Sequence, residues 1–237
     1  MKDIESQLGP EEKTIVAQAV AQFAAPIILE IGTYKGGGST LTFLEALQKT
    51  VGGKLYGVEA DASVFSEMKN NIRSVNPDYF EHFTPIRGFS QQVIPELLKE
   101  VRSFDIAFLD GGNNPREQIE EFTLLHDAIP VGGYLFAHDA NLRKGRWLVP
   151  YILELDNWRV VVHQVSEEGL LEAKKITVHP SADSLSRADR ILRRNKRSVI
   201  EVATLFFPSS FKGVFLKLLP FKLRRLIGEG RKEQRTV

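Results

Sequence analysis

The sequence predicts an α/β fold, an open doubly wound sheet that is mostly parallel, ends in an antiparallel hairpin and carries a helical extension at its C-terminus. Three observations predict it. Short β-branched and aliphatic runs alternate five times with segments of helical period between residues 27 and 155. The first run ends in a cluster of glycines that opens a helix. Two further β-rich runs, residues 158–165 and 171–178, flank the turn sequence SEEG and read as a hairpin.

Each element has a local cause. Residues 11–23 place Ile15, Val16, Ala19, Val20 and Phe23 at helical spacing, introduced by Gly9 and Pro10 and closed before Pro26. This helix is expected to lie across the mouth of the first strand's turn. Residues 27–40, IILEIGTYKGGGST, read as a strand buried on both faces, a glycine turn and the start of a helix over 39–48. Glycines at Gly32, Gly36, Gly37 and Gly38 permit positive φ and let a ligand approach the main chain. A second strand over 54–58 ends in Glu59, and Asp61 reads as the cap of a helix over 63–75.

Residues 83–87 form the third strand, with Ser90 as the expected N-cap of a helix running to about residue 101. The fourth, 104–109, ends in Asp110, and Pro115 begins a helix to 128 with Glu117, Glu120 and Glu121 in its early turns. The fifth ends in His138 and Asp139, and a helix is expected over 147–155.

Composition bounds the class. At 237 residues and 43% hydrophobic content the chain can bury a substantial core. No apolar run reaches the ~18 residues of a membrane span, and the start is too polar for a secretory signal, so a cytoplasmic location is expected. With no cysteine there is no disulfide, thiolate metal site or cysteine nucleophile. The formal charge of +1 hides an asymmetry: residues 1–186 carry 17 Lys and Arg against 26 Asp and Glu, and residues 187–237 carry 14 against 4. The division expected is therefore an acidic domain over 1–186 and a basic amphipathic helical extension over 187–237.

The glycine turn admits two ligand classes. A dinucleotide turn needs G-x-G-x-x-G, and here Thr33, Tyr34 and Lys35 separate Gly32 from the next glycine. A nicotinamide dehydrogenase is disfavoured on that ground. Glu30, Gly32 and Gly36 instead resemble the E/D-x-G-x-x-x-G motif of class I S-adenosylmethionine-dependent methyltransferases. That resemblance implies a Rossmann-like seven-stranded sheet over about residues 11–180, and S-adenosylmethionine as cofactor. Glu59, at the end of the second strand, is the expected acceptor of the ribose diol, with Thr33 and Ala60 beside it.

The string Gly88, Ser90, Gln91, Ile94, Pro95 and Leu97 is similar to the corresponding turn of the catechol-type O-methyltransferases, which implies that Ser90 and Gln91 face the adenine. Asp110 is expected at both the cofactor and the acceptor. In catechol-type and macrocin-type enzymes, acids at the ends of strands four and five hold a divalent cation. Asp110 and Asp139 resemble those ligands and carboxylates suit Mg²⁺. His138 stands where macrocin-type enzymes carry another acid. The sequence departs from both: Asn113 replaces the catechol-type lysine base, and Gly112 and Asn113 replace the second Asp and the His of D-G-D-H. In a metal-free version His138 is the expected general base. Amino-group methyltransferases carry D/N-P-P-Y/F where this chain has LDGGNNP, which favours an oxygen acceptor on a small molecule or sugar.

The extension alternates Arg190, Arg193, Arg194, Lys196 and Arg197 with apolar groups such as Leu205, Phe206 and Phe207. Docking on the acidic body or on a second subunit is expected, giving a homo-oligomer; peripheral membrane contact is the alternative, and no nucleic acid partner is expected. The competing function is a methyltransferase-fold protein with a degenerate site that acts through this basic tail.

Overall fold

The computed structural model describes residues 4–196. Strands β1 (Ile27–Ile31), β2 (Lys54–Glu59), β3 (Phe83–Arg87), β4 (Ile106–Leu109), β5 (Tyr134–His138), β6 (Trp158–His163) and β7 (Leu170–Lys175) form one seven-stranded sheet in the order β3-β2-β1-β4-β5-β7-β6. The first five are parallel, and β7 runs antiparallel between β5 and β6. Helices α1 (Pro10–Val20), α2 (Ser39–Leu47), α3 (Ala62–Val75), α4 (Ser90–Glu100), α5 (Pro115–Leu125), α6 (Leu148–Ile152) and α7 (Ala182–Lys196) cover its faces, with 3-10 turns at Pro77–Glu81 and Lys144–Arg146.

Alternation along the strands makes two cores. In β1, Leu29 and Ile31 face Ile94, Leu97, Ile119 and Phe122 of α4 and α5, whereas Ile28 faces Val16, Phe43, Leu44 and Met68 of α1 to α3. A sheet covered on both sides has no polar face, so its central strands read as unbroken apolar runs. Glu30 shares the face of Ile28 yet is wholly buried, which sets it apart as a site residue.

Element positions follow the local signals with small shifts at the ends. Asp61 caps α3, its carboxylate accepting from the Ser63 and Val64 amides. Ser90 does not cap α4: Phe89 is the N-cap residue, and the Ser90 hydroxyl donates to Glu121 instead, 2.6 Å away. The helix expected over 147–155 is shorter, a 3-10 turn followed by α6. The expected division at 186/187 falls inside α7, which packs on α6 and buries Ser184 and Ala188. Residues 197–237, and with them the expected docking, dimer or membrane role of most of the extension, lie outside the described residues.

Candidate active site

The parallel pairing puts the candidate residues on one line. Ile31 is in register with Val58 of β2 and Leu109 of β4, and Leu109 with Ala137 of β5. One residue further along each chain come Gly32, Glu59, Asp110 and His138, side by side at the carboxyl edge of the sheet. Strand order reverses between β1 and β4, the crevice where open α/β sheets bind ligands.

The turn after β1 is built by glycine. Gly32 has φ +88°, and a Cβ there would lie 2.5 Å from the Asp110 carbonyl oxygen. Only a hydrogen side chain lets the two strand ends meet. Below the turn, the buried Glu30 carboxylate accepts from Ser39 (2.5 Å) and Thr40 (2.9 and 3.0 Å) at the start of α2. Burial pushes its carboxyl up to about 8 despite those hydroxyls, with Asp110 and Glu59 adding to the rise. Glu30 therefore braces α2 against β1 from a buried position.

Gly36 is buried with φ +84° and packs against Ile72 and Met68 of α3. Thr33 is buried, and its hydroxyl has no hydrogen-bond partner among the described residues. Glu59 turns toward the turn: its two carboxylate oxygens accept from the Tyr34 amide and the Asp61 amide, both at 3.0 Å, while Ala60 is exposed beside it. Gln91 is half-buried at the start of α4. Ser90 is buried with its proton committed to Glu121, whose own carboxyl burial pushes up to about 7. Residues Ile4 to Leu8 lie over the turn, with Glu5 pairing Lys35 at 3.3 Å and Leu8 buried.

Past β4 and β5 the edge is charged. His138 is fully buried, its Nδ1 3.5 Å from Asp110 and 3.6 Å from Asp139, and its Nε2 3.6 Å from Glu12 of α1. At these separations the attraction is ionic rather than hydrogen bonded. Burial opposes charge on the ring, but Asp110, Glu12 and Asp139 outweigh it and hold the imidazole up to about 10. Asp110 moves the other way: burial would raise it, but Lys144 and His138 hold it below the usual carboxylate range. Charge held on the ring opposes the general-base role expected of His138. Asp139 sits at φ +61° in the left-handed region, as does Tyr34 at +47°, so both non-glycine residues with positive φ among the described residues belong to this edge.

The sequence of residues 29–140 matches the model of a family described as a methyltransferase domain. That match covers just under half of this chain, whose seven-stranded sheet has the Rossmann-like fold of solved O-methyltransferases. A transmembrane O-methyltransferase homolog from Mus musculus is 28% identical over 165 residues, 68% of this chain and 62% of that protein. A transmembrane O-methyltransferase from Propithecus coquereli is 33% identical over 135 residues, 56% of this chain and 47% of that protein. The chain thus spans about half the length of the relatives it matches. Among the described residues no helix is long and apolar enough to cross a membrane. The crystal structure of an O-methyltransferase from Bacillus cereus in complex with SAH superposes with a TM-score of 0.58 at 18% identity, covering 71% of this chain and 82% of that one.

Three groups join the site that local patterns did not single out: Glu12, Glu121 and Lys144. A glutamate in an amphipathic helix and a lysine in NLRKGR read as solvated charges, and only burial distinguishes them. Glu12 also accepts from Ser166 at 2.7 Å and from the Gly9 amide at 2.9 Å, and through its pairing with His138 α1 reaches the end of β5.

The donor atoms of Asp110, His138 and Asp139 lie within 4.8 Å of one another, a compact set for a divalent cation. Lys144 already fills that space: its Nζ is 2.6 Å from Asp110 and 3.7 Å from Asp139, and the side chain is 4% exposed. A resident Mg²⁺ would bring metal–oxygen bonds of about 2.0–2.1 Å to the same carboxylate that holds the ammonium. As folded, these residues do not fit a divalent ion.

Proposed function

We propose that this domain transfers the methyl group of S-adenosylmethionine to a hydroxyl oxygen of a small molecule or sugar. One observation carries the reading: Gly32 of the cofactor-type turn abuts the backbone of Asp110, so the methyl donor's seat and the charged cluster share one wall. Glu59 is suited to the ribose, since each carboxylate oxygen that takes a backbone amide keeps a lone pair for a diol.

Methyl transfer from a sulfonium is an in-line displacement in which the S–CH₃ bond breaks as the O–CH₃ bond forms, and the hydroxyl proton must leave. Asp139, beside the protonated His138, is the carboxylate we assign to receive that proton. Asp110, paired with Lys144, holds the acceptor end of the site and carries its charge. Support for an oxygen acceptor comes from the O-methyltransferase names of the relatives and from the absence of D/N-P-P-Y/F after β4.

Calorimetric titration with S-adenosylhomocysteine tests the cofactor, and a micromolar Kd is expected. Asp110→Ala and Asp139→Ala should each abolish transfer of labelled methyl to a pool of hydroxylated metabolites while leaving the melting transition cooperative. Full transfer by both variants would end the assignment.

A further inference from the structure

Lys144 has no role in the methyl transfer as derived so far. The loop that presents it is shaped for inward pointing. Asp139 in the left-handed region turns the chain, the Leu142 amide donates to the Asp139 carbonyl at 3.0 Å, and the Gly145 amide donates to Leu142 at 3.2 Å. A Cβ at Gly145 would meet the Ala140 carbonyl carbon at 2.8 Å, so only glycine closes this turn. On the far side, the Asn195 amide of α7 reaches the Arg146 carbonyl at 3.5 Å.

A lysine ordinarily extends its ammonium into water, and burial costs several kcal/mol unless the charge is paired. The chain holds a second buried lysine for comparison. Lys175 donates to the His126 and Ile129 carbonyls beyond α5, closing a helix end far from the strand tips. Lys144 instead faces Asp110 and Asp139, the two carboxylates that a ligating cation would take. The cluster then holds Glu12, Asp110 and Asp139 against Lys144 and His138, which leaves little net negative charge to draw in a divalent ion.

We propose that the Lys144 ammonium takes the place of the divalent cation in this site, as the built-in positive charge against which the acceptor oxygen is held. This rests on the methyl-transfer reading. The methyl passes from sulfur to oxygen, the sulfonium becomes a neutral thioether, and the hydroxyl proton goes to Asp139. A lysine ammonium is a compact point charge that needs no open coordination position, so it can stabilise a developing alkoxide where it stands.

Mn²⁺, which favours oxygen donors, is the probe. Free Mn²⁺ would be followed by electron paramagnetic resonance during titration into the full chain, into Lys144→Ala, and into Lys144→Ala combined with Asp110→Asn. The wild type should show no stoichiometric site, Lys144→Ala should gain one with affinity raised by at least about tenfold, and Asp110→Asn should remove it. If the alanine variant does not fold, Lys144→Met, which keeps the apolar stem, takes its place. Equal binding by wild type and variant overturns the proposal, and so does a variant that gains no site. Titration of the same preparations with S-adenosylhomocysteine separates the two readings. A gained Mn²⁺ site without S-adenosylhomocysteine binding keeps the Lys144 assignment and removes the methyl-transfer one; S-adenosylhomocysteine binding with a wild-type Mn²⁺ site does the reverse.

Discussion

Glu30 is an acid placed where its charge is costly, with no exposure and two hydroxyls as its partners. Its carboxyl stays protonated up to about 8 in the folded chain and ionises near 4.5 when unfolded. Between those values the unfolded state loses the proton and the folded state keeps it, so stability falls as pH rises through that window, by about 1.4 kcal/mol per unit at most. Glu121, raised to about 7, adds a slope of the same sign, and the His138 contribution falls from about 6.5, its unfolded value, and is gone above about 10. Glu30→Gln keeps an acceptor for Ser39 and Thr40 and should flatten the dependence by roughly one proton. Urea unfolding from pH 5 to 8 measures this, and an unchanged slope would show that Glu30 is ionised in the fold.

At the scale of elements, the segment ahead of α1 has a consequence for ligand entry. Glu5 accepts from the Tyr34 hydroxyl at 3.3 Å and pairs with Lys35, but Lys35 and Glu5 are 29% and 50% exposed, so the attachment is weak. The same segment passes within 2.5 Å of where a Gly37 Cβ would stand, over the turn that should receive the cofactor. Local opening of such a strap is expected to precede binding. Removing residues 1–7, which leaves the buried Leu8, should speed association of S-adenosylhomocysteine in stopped-flow mixing with little change in melting temperature. An unchanged association rate would mean that the strap does not gate the site.

For the whole molecule, the question is where the domain ends. α7 buries Ser184 and Ala188, its Ser184 hydroxyl donates to Asp156 at 2.9 Å, and Arg187 pairs with Glu154 at 3.2 Å. It also backs the loop of Lys144, with Lys196 over the Trp147 ring at 5.4 Å. A chain ending at residue 181 should therefore melt several degrees below one ending at residue 196, because each kcal/mol of lost burial moves Tm by about 2–4 °C in a domain of this size. Equal melting of the two chains by calorimetry would place the boundary before α7.

The sequence by itself determined the strand and helix order, the glycine turn, the Asp61 cap and the positions of Glu59, Asp110, His138 and Asp139 at strand ends. These follow from rules that act over a few residues: apolar period, the need for positive φ, and a carboxylate within reach of free amides. Tertiary structure alone decided that the Glu30 carboxyl is pushed up and held by Ser39 and Thr40, that the Ser90 hydroxyl serves Glu121, and that Glu12 and Lys144 complete the charged cluster. Glu12 meets His138 across most of the chain, and Lys144 meets Asp110 from a neighbouring strand's loop. Such pairings depend on sheet register and on which charges the packing removes from water. Because the Coulomb attraction that joins them becomes strong only after burial, no local pattern announces it.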